Sequence, residues 1–401
     1  MKSESIKYSL NNLKHRKIRS TFTIVSILIG IATIFIFVSF GMGLYKYVGE
    51  ISSGGSADKI IIQAKGSTGN VGLDTTFAFT DDDLNAVEKT SGVYEATGLY
   101  FKAAEVVQGK KKIYTLIFGY DPDKNLIAEL SNLGIVQGRE LKEGESNIIL
   151  GYNYLIPGRI FPRAYSLGEK IEVQGRDVKI VGFYDAVGTP PDDAQIYVTN
   201  EFMEELYPDE ELSYNWIVAR VDSSNVEKVV KNVEENLRDE RGLKKGKEDF
   251  FVQSFNDLIE TYSTVLNMVV GFVILIALIS LLVSAVNTAN TMITSVLERT
   301  KEIGIMKSIG ATNAEIFGIF LFESSFLGFI AGTLGALLGF GLTNIASAIL
   351  ISLGYSFLSP YYSFSLFFGC IAFAVVTGAI SGIIPAVKAM RTNPIVALRY
   401  E

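Results

Sequence analysis

The hydrophobic positions of the chain gather into four long runs, and the polar positions lie between them. The runs occupy residues 20–45 and about 265–286, 316–345 and 364–384. A helix that crosses a bilayer needs about 20 consecutive apolar residues, and no charged residue occurs from Thr261 to Leu297. The pattern therefore predicts four transmembrane helices, the last three of them within residues 263–401.

Residues 46–262 lie between the first two runs, are too polar to cross a membrane and are numerous enough for a folded domain. Strands are predicted at Lys59–Gln63, Ser146–Leu150, Lys170–Val173, Val178–Phe183, Gln195–Val198 and Trp216–Val221, with a hairpin over Val106–Phe118. Helices are predicted from the cap Thr80 to about Lys89 and at Asn200–Leu206 and Ser224–Leu237. Interleaved strands and helices indicate a mixed α/β domain inserted between transmembrane helices 1 and 2.

Residues 1–19 carry a basic amphipathic pattern. Ile6, Leu10 and Leu13 recur at helical spacing among Lys and Arg side chains, which predicts a helix lying on an anionic membrane face. A cleaved signal peptide would have a shorter apolar region than the run that follows. The first run is therefore interpreted as a retained helix. Because positive residues mark cytoplasmic segments, both chain termini are expected in the cytoplasm.

Residues 298–311 form a short charged segment between the second and third runs. Moving Arg299, Lys301 and Lys307 to the bilayer centre would cost about 2.5–3.5 kcal/mol each, so the segment must lie at a membrane surface. One helical stripe, charged in its first turn and apolar in its second, is formed by Glu298, Lys301, Glu302, Ile305, Met306 and Ile309. The pattern alone leaves two interpretations open, a helix that docks a partner or an ordinary cytoplasmic loop.

Glycines recur on single faces of the last two runs. Gly328, Gly332, Gly335 and Gly339 share one face of the third helix, and Gly378 and Gly382 lie four residues apart in the fourth. Small residues on one face allow two membrane helices to approach closely, although membrane helices are also generally rich in glycine. Glu323, inside the third run, is expected to reach the interface or to pair within the bundle. Pro385 is expected to end the fourth helix.

Net charge and the counts of Cys and His limit the classes of function that the chain can have. The net charge of −7 arises wholly from residues 46–262, because both flanking segments carry a positive excess. An acidic middle argues against nucleic-acid binding. The single cysteine, Cys370, excludes an intramolecular disulfide, and the single histidine, His15, excludes a histidine-based metal cluster. No catalytic grouping stands out, and the acidic stretches Asp192–Asp193 and 208–212 are interpreted as solvated loops.

The segment 298–311 resembles the signature loop of the FtsX/MacB-type ABC transporter permeases, E-R-x-x-E-I-G-I-x-x-x-x-G-A. The matching residues are Glu298, Arg299, Glu302, Ile303, Gly304, Ile305, Gly310 and Ala311. The chain ending is similar to that of the family in Pro385, Ala386, Pro394, Ala397, Leu398 and Arg399. The middle domain resembles the MacB-type extracytoplasmic domain in marks such as Gly119–Pro122, Gly138-Arg139, Ile148–Gly151, Leu167–Ile171 and Val178–Phe183.

The resemblance implies a permease subunit whose 298–311 loop is the coupling helix that docks into an ATPase. The residues expected to carry this contact are Glu298, Arg299, Lys301, Glu302, Ile303, Gly304, Ile305, Met306, Lys307, Gly310 and Ala311. No Gly-x-x-x-x-Gly-Lys-Ser/Thr loop occurs, so a separate cytoplasmic ATPase subunit is expected to bind ATP and the chain is expected to need no cofactor of its own. The resemblance also implies a dimer with a second copy or a paralogue in the cell membrane.

Two functions remain open from the sequence. One is an exporter of peptides, drugs or lipid-linked cargo, and the other is a signalling module resembling FtsX, which transports nothing and activates an extracellular cell-wall enzyme. The large middle domain favours the first. An extracytoplasmic adaptor or hydrolase is a further partner that the resemblance implies. A membrane-anchored enzyme has no catalytic constellation to support it.

Overall fold

The computed structural model describes residues 17–53, 58–65, 77–124, 126–130 and 133–399. The amphipathic helix predicted over residues 1–19 lies mostly outside them and stays a prediction. The described helices are α1 (Lys17–Ser53), α2 (Asp81–Glu88), α3 (Leu126–Leu130), α4 (Asn200–Leu206), α5 (Val226–Glu240), α6 (Phe255–Glu298), α7 (Thr300–Ser308), α8 (Asn313–Leu353), α9 (Phe364–Met390) and α10 (Pro394–Arg399). The described strands are β1 (Lys59–Ala64), β2 (Val93–Gln108), β3 (Lys111–Tyr120), β4 (Ile135–Gly138), β5 (Asn147–Leu150), β6 (Lys170–Val173), β7 (Arg176–Tyr184), β8 (Ile196–Thr199), β9 (Trp216–Val221) and β10 (Phe250–Ser254).

These elements fall into two compact units. The helical unit comprises the described chain up to Leu44, Val265–Ile351 and the chain from Leu358 onward. The α/β unit comprises Tyr45–Thr264 and Ser352–Phe357. Among the described residues, four helices are long and apolar enough to cross a membrane, namely α1, α6, α8 and α9. The predicted fold class, four apolar helices with a mixed α/β domain after the first, is confirmed.

The long helices extend beyond the predicted spans. Helix α6 has 44 residues and is about 66 Å long at 1.5 Å per residue, whereas the hydrocarbon core of a bilayer is about 30 Å thick. The prediction that the second run forms one helix longer than the bilayer is confirmed. Helix α8, with 41 residues, also extends past both predicted ends, by three residues at its start and by eight, mostly apolar, residues at its end.

The expectation that Pro385 ends the fourth helix is wrong. Pro385 is buried inside α9, which continues to Met390. A proline removes one backbone donor, but helices packed among others in a membrane tolerate it because neighbouring groups satisfy the carbonyl that is released.

The α/β unit is built on a ten-stranded mixed sheet in the order β10-β1-β9-β2-β3-β8-β5-β7-β4, with β6 pairing with β2 and β7. The 16-residue strand β2 joins two parts of this sheet. Its first half pairs antiparallel with β9, from Val93 to Leu99, and its second half pairs with β3, from Tyr100 to Gln108. The sequence predicted only the end of β2, because residues 96–101 are buried on both faces and show no alternation.

Helices α2 and α5 cover one part of the sheet. Val87 of α2 and Val229, Val233 and Leu237 of α5 share a core with residues of β1 and β9. The predicted cap of α2 is confirmed, because the Thr80 hydroxyl accepts from the N–H of Asp83 and the Asp83 carboxylate accepts from the N–H of Thr80. The edge strands β4 and β10 were not predicted, since short edge strands carry little hydrophobic pattern.

Candidate functional site

The charged segment between α6 and α8 folds as a nine-residue helix rather than one helix over 298–311. Helix α6 ends at Glu298, and Arg299 leaves the helical backbone (φ −106°, ψ 13°) before α7 begins at Thr300. A break in the helical backbone at one residue separates the two helices. Glu298 and Arg299 therefore belong to the junction, and the other predicted residues lie on α7 or in the turn after it.

A glycine turn ends α7. Gly310 has φ +107°, a backbone conformation that side chains rarely adopt, and a Cβ there would meet no other atom within 4 Å. The N–H of Gly310 donates to the carbonyl of Lys307 (3.1 Å), and that of Ala311 donates to the carbonyl of Met306 (3.0 Å). This is the Schellman arrangement of helix ends. Within this chain, Gly310 is therefore explained by its turn rather than by close approach of a second backbone.

Helix α7 has one face inside the helical unit and one face outside. Ile303 and Gly304 are buried, and Ile303 packs in a core with residues of α6, α8 and α9. The exposed face carries Lys301, Glu302 and Ile305, and Ile309 follows on the same side. Of the stripe that the sequence singled out, this exposed surface holds Lys301, Glu302, Ile305 and Ile309, whereas Met306 is half-buried and packs against the core.

Arg299 ties the junction to the third long helix. Its side chain is only 4% exposed, its Nη1 lies 3.2 Å from Glu323 Oε2 on α8, and that carboxylate is 6% exposed. Its Nε also lies 3.2 Å from Glu302 Oε2 at the start of α7, and its guanidinium stands over the ring of Phe320 (5.5 Å). Of the two roles expected for Glu323, the structure shows pairing within the bundle.

Lys307 ties the other end of α7 to the fourth long helix. Its ammonium donates to the carbonyl of Met390 (2.5 Å), the last residue of α9, and to that of Thr392 (3.0 Å), two residues beyond it. A cation at the carboxyl end of a helix is favourable because the last carbonyls have no partner inside the helix. Sequence reasoning assigned Lys307 to a partner contact, but its charge is turned onto this chain.

The last described helix, α10, packs along α7 and forms an open groove with it. The groove has a volume of about 490 Å³. Its walls are formed by Leu297, Glu298, Thr300 and Lys301 on one side and by Thr392, Asn393, Val396 and Ala397 on the other. No sequence pattern predicted that the family-like chain ending lies beside α7, and only the tertiary structure brings the two together.

The glycine face of α8 is divided between two neighbouring helices. A Cβ at Gly328 would lie 2.4 Å from the carbonyl oxygen of Ala374 on α9, and one at Gly332 would lie 2.7 Å from the Ala374 Cβ. A Cβ at Gly335 would lie 2.9 Å from the Ile31 Cβ on α1, and one at Gly339 would lie 2.9 Å from the Phe35 Cβ. In these pairs the backbones meet at distances that only glycine permits.

On α9, Gly378 and Gly382 face α8. A Cβ at Gly378 would lie 2.5 Å from the carbonyl oxygen of Ser324, and one at Gly382 would lie 2.3 Å from the Ser324 hydroxyl. Both predicted glycine faces thus lie against other helices of the same unit.

The interpretation of Asp192–Asp193 as a solvated loop is wrong for Asp193. This carboxylate is 2% exposed and accepts hydrogen bonds from the N–H groups of Val187 (2.7 Å) and Gly188 (3.2 Å). Burial raises the pKa of Asp193 above its usual value, against the effect of those two hydrogen bonds. The sequence shows only two adjacent acids, and no pattern indicates which of them folds inward.

The turn that Asp193 stabilises also contacts the segment between α8 and α9. The N–H of Phe357 donates to the carbonyl of Gly188 (3.3 Å), and the Phe357 ring packs against the ring of Tyr47 (5.8 Å between centroids). The Tyr47 hydroxyl donates to the carbonyl of Val187 (3.2 Å). Gly188 has φ +98°, and a Cβ there would lie 2.6 Å from Ser356 Oγ. This contact was not predicted.

Comparisons with known proteins place both units. Residues 274–394 match the FtsX-like permease C-terminal family, and residues 20–236 match the MacB-like periplasmic core domain. The chain is similar to an uncharacterized ABC transporter permease of Methanocaldococcus jannaschii, with 31% identity over 99% of this chain and 98% of that one. It is also similar to the macrolide export ATP-binding/permease protein MacB of Wolinella succinogenes, with 27% identity over 99% of this chain and 61% of that one.

Among solved structures, the periplasmic region of MacB from Actinobacillus actinomycetemcomitans aligns with 53% of this chain and 98% of that one. The TM-score is 0.42 and the sequence identity is 17%.

Proposed function

Because the chain belongs to the FtsX/MacB family of ABC transporter permeases, we propose that it transmits the motion of an ATPase to its α/β unit across the cell membrane. The ATPase is proposed to be a separate subunit that docks on the exposed face of α7. These 401 residues contain no phosphate-binding Gly-x-x-x-x-Gly-Lys-Ser/Thr loop, so ATP is bound by that partner. A pair of permease copies, or this chain with a paralogue, would receive a pair of ATPases.

The observation that carries this proposal is the buried ion pair between Arg299 and Glu323. It connects the junction before α7 directly to α8, and Lys307 connects the other end of α7 to α9. A helix anchored at both ends cannot tilt independently of its anchors. A push on the exposed face of α7 would therefore move α8 and α9 with it.

The ion pair is better explained by position than by stability. Two buried charges must be removed from water, and replacing such a pair by apolar side chains is often neutral or stabilising. A pair that contributes little to folding still fixes which side chain of α8 meets the junction. This supports a role for Arg299 and Glu323 in transmitting motion.

We propose that the α/β unit lies outside the cytoplasm and that α7 and both chain ends lie inside. The proposal rests on the excess of Lys and Arg around the N-terminus, α7 and the C-terminus. Single cysteines replacing exposed Ser223 and exposed Ala314, in a Cys370→Ala background, should react with an impermeant thiol reagent from opposite sides. Reaction of both from the same side of sealed cells would refute this topology.

Export of a peptide, drug or lipid-linked cargo is the favoured activity. The similarity to a MacB named for macrolide export, together with the match of residues 20–236 to the MacB-like core domain, supports it. The match of residues 274–394 to the FtsX-like family supports the alternative, a signalling module that activates an extracellular cell-wall enzyme. Cells that lack the chain should accumulate a labelled macrolide under the first proposal. Under the second they should lose cell-wall hydrolase activity at unchanged accumulation.

Docking on α7 is tested with Ile305→Glu. Ile305 is 46% exposed, and Val136 on β4 is 45% exposed, so Val136→Glu is a matched control. The tagged full chain is purified in detergent from the cells that produce it, and partners are identified by mass. The parent and Val136→Glu should retain an ABC ATPase, and Ile305→Glu should recover at least tenfold less. An ATPase that co-purifies equally with all three forms, or with none, would overturn the docking assignment.

Transmission is tested with the double variant Arg299→Met and Glu323→Leu, which removes both buried charges together. It should fold and bind the ATPase like the parent, because the charge that loses its partner, Glu302, is 53% exposed and no unpaired charge remains buried. Its maximal stimulation of the ATPase should fall at least tenfold, while the permease concentration that gives half-stimulation stays unchanged. Full stimulation by the double variant would show that the ion pair does not transmit motion. The purified parent alone should hydrolyse no ATP.

A further inference from the structure

We propose that the ATPase docks not on α7 alone but in the groove between α7 and α10, so that the last described helix forms the second wall of the docking site. This inference rests on the proposed function and extends the same site. The resemblance singled out the ending Pro394, Ala397, Leu398 and Arg399 without giving it a role. The groove assigns that ending a role as a wall of the docking site.

Helix α10 is held in a fixed position. Asn393 precedes it, and its side-chain oxygen accepts from the N–H of Ile395 (2.9 Å), while Pro394 occupies the first helical position, where a missing N–H is harmless. Ala397 is 6% exposed and lines the groove against α7. The ammonium of Lys307 crosses from α7 to the carbonyl of Thr392 (3.0 Å), two residues before α10 begins. The two walls are therefore locked to each other.

The walls end in apolar side chains that this chain leaves exposed. Ile395 is 74% exposed and Val396 is 54% exposed on α10, and Leu297 is 56% exposed at the junction before α7. Exposed apolar side chains around a concave site are typical of the places where a partner inserts an anchoring side chain. At about 490 Å³, the groove has room for such an anchor.

Charge favours a protein rather than a lipid as the occupant. The groove carries one acid, Glu298, and one base, Lys301, together with the polar side chains of Thr300, Thr392 and Asn393. Lipid headgroups of the cytoplasmic leaflet are anionic and are attracted by clusters of Lys and Arg. A balanced pair of charges beside apolar walls instead matches a polar protein surface with one apolar projection. The proposed function identifies that protein as an ABC ATPase.

Cross-linking tests the exposed face of α7 and the α10 wall of the groove separately. Cysteines replace Val396 or Ile305, or Val136 as a control, in the full chain with Cys370→Ala. Each carries a thiol-attached photoreactive benzophenone, in the detergent-purified complex with the co-purified ATPase. We expect the probes at Val396 and Ile305 both to cross-link to the ATPase and the Val136 probe not to do so. A cross-link from Ile305 alone would leave the proposed function intact and overturn the two-walled groove.

Two other outcomes are also decisive. A Val396 probe that reacts only with lipid would identify α10 as a membrane-surface helix and overturn the inference. Absence of cross-links from both positions would contradict the docking of an ATPase at α7, and with it the proposed function.

A binding measurement gives the size of the contribution. Val396→Glu should reduce ATPase recovery at least tenfold, as Ile305→Glu does, and Val136→Glu should leave it unchanged. Val396→Leu, which keeps the apolar surface, should restore recovery to within about twofold of the parent. Equal recovery with Val396→Glu and Val396→Leu would refute a role for this wall.

Discussion

The two units use the same residue, glycine, for different physical reasons. In the α/β unit, Gly109 and Gly144 have positive φ in turns, and a Cβ at either would meet nothing within 4 Å. In the helical unit, Gly328 and Gly378 lie in helices, where a Cβ would press on the backbone of the facing helix at 2.4 and 2.5 Å. The first two positions need the backbone freedom of glycine, and the other two need its small size.

The difference follows from the solvent that each unit is adapted to. In water, burial of apolar side chains drives folding, so the α/β unit builds a core of large residues, and glycines such as Gly109 and Gly144 turn the chain between its strands and loops. In lipid, apolar burial between helices brings no such gain, and close packing of backbones takes its place. The chain carries a natural probe in each unit, its single Trp216 on β9 and its single Cys370 on α9.

The largest expected effect is at the crossing of α8 and α9. Gly328→Leu should force these helices apart, because its Cβ would lie 2.4 Å from the carbonyl oxygen of Ala374. We expect the rate of thiol labelling of buried Cys370 to rise at least a hundredfold, which is equivalent to about 3 kcal/mol. The urea unfolding of the α/β unit, followed by Trp216 fluorescence, should stay unchanged. Gly341→Leu, on the same helix but without a neighbour within 4 Å, is the control. Equal labelling rates of Cys370 in both variants would show that the small size of Gly328 does not keep these helices close together.

A second difference concerns charge inside the α/β unit. Arg241 lies 2.7 Å from Asp83 and 2.9 Å from Asp249 and stands over the ring of Phe77 (4.7 Å). Arg241→Met should lower the free energy of unfolding of this unit by about 2–3 kcal/mol, because Asp83 would stay buried without its cation. The readout is Trp216 fluorescence during urea unfolding.

The control for that prediction is the exposed pair of Arg163 and Glu169, in which the arginine side chain is 66% exposed. Arg163→Met should change the same free energy by less than about 1 kcal/mol, because exposed ion pairs contribute little. If the two variants lose the same free energy of unfolding, burial does not determine how much an ion pair contributes to stability. Labelling of Cys370 should not respond to either change.

Gly188 combines both uses of glycine and sharpens the comparison. It has φ +98°, and its Cβ would also lie 2.6 Å from Ser356 Oγ, whereas Gly144 has φ +69° with open space around it. Gly144→Ala should cost about 1 kcal/mol from backbone strain alone. Gly188→Ala should cost about 2 kcal/mol because steric crowding adds to the strain. Equal losses in Trp216 unfolding would mean that the contact with Ser356 does not matter.

The smallest effect is a pH dependence at Asp193. Its pKa in the folded protein is raised above the usual 3.8 by burial. The unfolded chain therefore ionises first, so stability falls as pH rises from 3.8 through the raised pKa, and the loss is constant above it. Asp193→Asn removes this ionisation and keeps an oxygen acceptor for Val187 and Gly188.

The variant should therefore gain stability relative to the parent as pH rises through that window, by less than about 1 kcal/mol. Urea unfolding followed by Trp216 fluorescence at several pH values measures it. Asp209→Asn, at an exposed position, should follow the parent at every pH. A parent-to-variant difference that does not change with pH would contradict the raised pKa.

Much of this architecture can be predicted from the sequence, because it depends on local pattern. Apolar runs of about 20 residues indicate bilayer-length helices wherever they occur. The cap at Thr80 requires only Asp83 three residues later, and strands β6 and β9 follow their own β-type runs. The charged segment 298–311 is set apart by the two apolar runs beside it, so the prediction that it lies at a membrane surface requires no tertiary contact.

Tertiary structure decided which partners these elements meet. Arg299 pairs with Glu323, 24 positions later, and Lys307 reaches Thr392, 85 positions later, to bring α10 beside α7. Neither contact has a local signature, because a buried charge chooses its partner by distance in space and not along the chain. The same reason explains Pro385 inside α9 and Asp193 inside its turn. Sequence determined which segments are apolar, charged or capped, and packing determined which of their side chains were removed from solvent and had to find a partner.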